Sequence, residues 1–176
     1  NKALEGIAKQ VQAGGIVQAM EKTRARYAYA YEKARTLQGN PEETALTGDV
    51  IAEGMAAGLI PQDVDTLCDR LQTRDRIRDK LGDEDGTKDQ TRDRDRDRIH
   101  QLAQESFMAA REMTRTGVPS DVATDAVCQA LENSYQASEM QQLRRAFMTG
   151  ARNGDPAQLA KSYAYAIRNG ATADDL

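Results

Sequence analysis

Apolar residues recur at three- and four-residue steps along most of this chain, the spacing of one face of a helix, and the runs break at one recurring kind of place. Leu4, Ile7, Ala8 and Val11 predict a short amphipathic helix that the Gly14-Gly15 pair ends. Val17, Met20, Tyr27, Tyr31 and Ala34 predict a longer one from Ile16 to Gln38, its stripe interrupted by Arg24. A third starts after Asn40 and reaches about Ala57. A fourth carries Val64, Leu67, Cys68 and Leu71, its buried part ending near Thr73. Ile99, Leu102, Ser106, Ala110 and Met113 mark the next, and Val122, Ala126, Val127, Ala130 and Leu131 the one after it. Ser138 with Gln141 predicts the start of a helix bearing Met140, Leu143, Phe147 and Ala151, and the last full helix carries Leu159, Tyr163 and Ile167. Beyond Gly170, Thr172 reads as the cap of one further turn.

The breaks are built alike. All four prolines follow a glycine by two or three residues: Gly39 and Pro41, Gly58 and Pro61, Gly117 and Pro119, Gly154 and Pro156. Glycine just past a helix adopts left-handed geometry at no steric cost, and proline in the first helical turn lacks an N–H that would be unsatisfied there. Each pair therefore reads as helix stop and helix start. Pro119 and Pro156 stand 37 positions apart, close to one helix-turn-helix unit of a solenoid, and Phe107-Met108 and Phe147-Met148 sit similarly upstream of their turns. Pro61 and Pro119 stand 58 apart; the excess of 21 matches the charged stretch from Arg76 to Arg96. The pattern predicts an all-α, solenoid-like stack of antiparallel helical hairpins, an irregular αα-repeat of about eight helices. Residues 1–73 and 99–176 pack as one domain in this reading, and 74–98 is a charged insertion or helix extension.

Tyr31-Glu32-Lys33-Ala34-Arg35-Thr36-Leu37-Gln38-Gly39-Asn40-Pro41-Glu42 resembles the second helix and exit turn of a tetratricopeptide repeat. The likeness covers these twelve residues, the preceding helix lacks that family's pattern, and no binding residue is carried over from it.

At 176 residues with 30% charged side chains, 5% aromatics and no tryptophan, the chain is long enough for its own core and suits closely packed helices. A formal net charge of -4 argues against a general attraction to nucleic acid or anionic membranes, so no nucleic-acid partner is expected. No apolar run nears the roughly 20 residues of a membrane span. The sequence opens on Asn1, which leaves room for a leader removed upstream, so a bacterial, exported protein is one expectation and the compartment is otherwise open. Cys68 and Cys128 fall in apolar-periodic stretches outside any Cys-x-x-Cys pair and read as buried thiols; a disulfide between them would need neighbouring backbones.

Segments that attract a chemical reading are few. Residues 74–98 hold nine basic and nine acidic side chains, so the carboxylates oppose the counterion release that phosphate binding needs. Asp93 with Arg96 and Asp95 with Arg98 suit a solvated, salt-laced helix. Asp83 to Asp89 has the look of a calcium loop, yet Leu81 and Arg92 occupy the terminal ligand positions when Gly86 takes the invariant glycine's place. His100, the only histidine, reads as a surface or helix-end residue without metal-binding company. No catalytic residue, cofactor or metal is expected.

The tyrosines carry what functional signal there is. Spaced two apart in Tyr27-Ala28-Tyr29-Ala30-Tyr31 and Tyr163-Ala164-Tyr165, they cannot share one helix face, and Tyr29 and Tyr165 lie off the apolar stripes. Inter-helix packing is one role for these two rings; a protein-binding surface is the other. The sequence thus favours a non-catalytic module that binds a protein or peptide. A small-ligand-binding helical protein and an enzyme with acids converging in space are its rivals.

Overall fold

The computed structural model describes residues 13–37, 40–81 and 88–176, with side chains at all of these except 77–81 and 88–97. Among them are seven α-helices, no strand and a closing 3-10 turn, against about eight helices expected. They are α1 (Ala13–Arg35), α2 (Pro41–Ala57), α3 (Pro61–Leu81), α4 (Lys88–Arg115), α5 (Ser120–Glu132), α6 (Ala137–Gly150) and α7 (Pro156–Arg168), with the 3-10 turn at Ala173–Asp175.

The proline punctuation sets these boundaries. Pro41, Pro61 and Pro156 are first helical residues, and Pro119 immediately precedes α5. Asn40 caps α2 by accepting from Glu43 N–H at 2.9 Å, while the Glu43 carboxylate accepts from Asn40 N–H at 3.1 Å. Asp155 caps α7 through Ala157 and Gln158 N–H. Gly58 and Gly117 take φ of 133° and 96°, where a side chain would be strained, and so let the chain turn tightly from α2 into α3 and from α4 into α5. The start of α6 differs from expectation: Gln136 and Glu139 form the capping box, two residues ahead of the predicted pair.

The helices form two layers. α2, α4 and α6 pack side by side, as do α3, α5 and α7, and α4 also touches α3 and α5 across the layers. Neighbours within a layer run parallel, as Glu43 meeting His100 and Glu53 meeting Arg111 shows for α2 and α4. This is the solenoid arrangement, with α1 laid against α2 at one end. The core between the layers holds Ile51, Leu67, Phe107, Met113, Met140, Leu143, Phe147 and Ile167, all fully buried. Phe107 and Phe147 occupy equivalent sites, each followed by a half-buried methionine, as the repeat predicted.

Three expectations need correction. Gly14-Gly15 does not end a helix; α1 runs through it, because glycine weakens a helix without sterically barring it. Val17, Met20 and Tyr27 do not face the core: they are 55%, 48% and 37% exposed, and α1 turns Ala30 and Ala34 inward instead, followed by Leu37 in the turn after it. His100 is not at a helix end. α4 begins twelve residues earlier, which places the imidazole on the α2-facing side of its interior, 2% exposed. The expected helix at Leu4–Val11, the Gly39 stop, the calcium-like loop and the Asp93–Arg96 and Asp95–Arg98 pairs lie wholly or mainly outside the described residues or side chains. Helical backbone runs over 74–81 and 88–98.

Candidate functional site

Tyr29 stands on the side of α1 that meets α3. Its hydroxyl proton is shared between the Pro61 carbonyl at 2.8 Å and Asp65 Oδ1 at 2.7 Å, and Lys33 Nζ reaches the same carboxylate at 2.7 Å. Burial, with the Asp65 hydrogen bond second, raises the Tyr29 pKa far above that of a free phenol. The Lys33 and then the Tyr29 hydrogen bonds hold Asp65 below the usual carboxylate range, and Asp65 in turn raises Lys33. The cluster is a clasp between helices. Its tyrosine is neutral and has its proton engaged, so it is not an activated nucleophile or base.

Tyr165 is placed quite differently. It lies on the outer side of α7, 70% exposed. One turn on, Arg168 donates to Gln129 Oε1 at 3.2 Å and to Asp125 Oδ1 at 3.3 Å on α5, so the surface beside the ring is a braced polar lattice. Arg70 of α3 pairs with Glu132 of α5 at 3.0 Å further along the same layer. Four other tyrosines, Tyr29, Tyr31, Tyr135 and Tyr163, donate their hydroxyl protons to protein atoms. Among the described residues Tyr27 and Tyr165 make no such bond.

His100 is the site residue that sequence reasoning missed. Its Nε2 lies 3.7 Å from Glu43 Oε2, which also closes the cap of α2, and its Nδ1 is buried without a hydrogen-bond partner. Thr47 Oγ, one turn beyond Glu43, is buried and unpartnered too. The apolar neighbours Ile99 and Leu102 were the available signal that this stretch lies well inside a helix. Among the described residues no group of three or more His, Cys, Asp and Glu side chains could hold a metal ion, and no helix is long and apolar enough to cross a membrane.

Cys68 and Cys128 are free and buried, and desolvation pushes their thiols up to about 12 and about 11. A thiolate is the reactive form. At pH 8 both thiols are expected to resist a disulfide-exchange reagent in the native protein, and both to react at once in denaturant. Rapid native labelling of either would contradict the burial.

No protein-family model matches the chain, and no curated protein or solved structure does.

Proposed function

We propose that the chain is a non-catalytic helical-repeat module that binds a protein or peptide across the outer face of α3, α5 and α7, with Tyr165 as its aromatic anchor. The observation that carries this reading is the 70% exposure of Tyr165 on a face whose charged neighbours are already held in place by inter-helix bonds. A rigid amphipathic ring gains much contact area for little lost rotamer freedom, and a pre-braced rim costs little further ordering when a partner arrives.

A photo-crosslinking side chain tests it. Placed at position 165 and irradiated in extract of the source cells, it is expected to give a discrete protein adduct; placed at Gln142, exposed on the opposite layer, it is expected to give none. Excess unlabelled native chain should suppress the adduct, and excess Tyr165→Ala chain should do so at least about fivefold less well, the equivalent of about 1 kcal/mol. Equal adducts at both positions, or equal competition by the two chains, would sink the reading.

A further inference from the structure

Most side chains in the first part of α1 are exposed. From Ala13 to Ala28 only Ile16, Thr23 and Arg26 are even half-covered. α1 spans 23 residues and its hairpin neighbour α2 only 17, and the α1 side chains that reach another helix, Tyr29, Tyr31 and Lys33, belong to its second half. A stretch of sixteen residues containing two adjacent glycines is a poor helix in water unless something covers it. Its exposed side chains also have an order. Val17, Met20, Arg24 and Tyr27 follow one another at steps of three, four and three, a spacing that a two-helix seam uses, and the next position on that stripe, Tyr31, is already engaged by Asp49 of α2.

We infer that this seam pairs with its own counterpart in a second copy of the chain, the two α1 helices running antiparallel about a two-fold axis beside residue 22. The charges choose both the occupant and the direction. Parallel pairing in register would set Arg24 against Arg24, two like charges at the centre of the contact. Antiparallel pairing sets Val17 against Tyr27 and Met20 against the Arg24 stem, and brings the Arg24 guanidinium to Glu21 of the other copy, twice by symmetry. Glu21 and Arg24 are both exposed, and neither forms an ion pair with a described residue of its own chain.

Sedimentation equilibrium of the full chain across a hundredfold dilution tests the pairing. The expected result is a reversible species of twice the 19.4 kDa chain mass. Glu21→Arg and Arg24→Glu, each at an exposed site, should each weaken dimerisation at least about tenfold, and the double exchange should restore it. Direction is read by disulfide formation: Val17→Cys chains mixed with Tyr27→Cys chains should cross-link, and Val17→Cys chains alone should not. The buried native thiols stay out of that assay. Monomeric mass at every concentration overturns the inference and leaves the seam to residues 1–12 of the same chain or to a different protein. A dimer indifferent to both charge reversals, or one that cross-links through Val17→Cys alone, overturns it equally. None of these results touches the α3–α5–α7 face, so failure here and failure of the Tyr165 reading are told apart.

Discussion

Phe107→Ala is expected to cost roughly 3–5 kcal/mol, the largest loss of any single change considered, and to lower the melting temperature by roughly 6–20 °C in a chain of this size. Phe107 is fully buried in α4, the helix that touches both members of its own layer and two of the other. Its neighbours along that helix, Ala103, Ala110 and Met113, are also at 0% exposure, and alanines cannot lean into a void. The cavity therefore persists, and lost packing adds to lost burial. Phe147 offers a comparison, since its ring meets Tyr163 edge-on at 6.4 Å, a larger neighbour than the alanines beside Phe107. Urea and thermal melts followed by circular dichroism would decide the matter; a loss below about 1 kcal/mol for Phe107→Ala would mean that α4 is not the centre of the core.

Tyr29→Ala comes next, at roughly 2–3 kcal/mol, because it removes a half-buried ring and leaves the Pro61 carbonyl without its side-chain donor. Tyr29→Phe should cost only about 1 kcal/mol, since Lys33 still satisfies Asp65. Tyr165→Ala is the control, expected within about 0.5 kcal/mol of the native chain. The same melts check all three. A negligible effect at Tyr29 would show that the clasp does not hold α1 to α3, and a large effect at Tyr165 would remove the argument for a binding face.

Much of the architecture could be read from the residues, for reasons that are local. Capping chemistry acts within four residues, so Asn40-Pro41, Asp155-Pro156 and the Pro61 and Pro119 turns located helix starts without knowledge of the fold. The α4 to α7 stripes were equally legible, because those helices are covered along most of their described length and periodicity then reports burial. α1 was not, because its exposed stripe is as regular as a core stripe while most side chains of its first half are exposed. His100 escaped for a related reason. Where α4 begins depends on how far a highly charged segment stays helical, and charge patterning suits a solvated helix and a loop alike. Tyr29 and Tyr165 looked equivalent as off-stripe rings. Only the third dimension separates them, since α3 lies beside one and solvent beside the other.

The turns of this molecule are tied down from outside. Ser120 accepts from Ile60 N–H and bonds Asp63 in the hairpin before it; Arg74 of α3 donates to the carbonyls of Leu131, Ser134 and Tyr135 at the end of α5; Tyr135 donates to the Ala171 carbonyl beyond α7. At the α5 and α7 ends the donor lies earlier in the chain and the carbonyl later, so these joints run head to tail and give the stack a polarity. A hairpin excised from the middle would carry away the donors on which the next one depends while abandoning its own carbonyls to water. Shortening or lengthening this protein is consequently workable only in whole units that bring both halves of the joint with them.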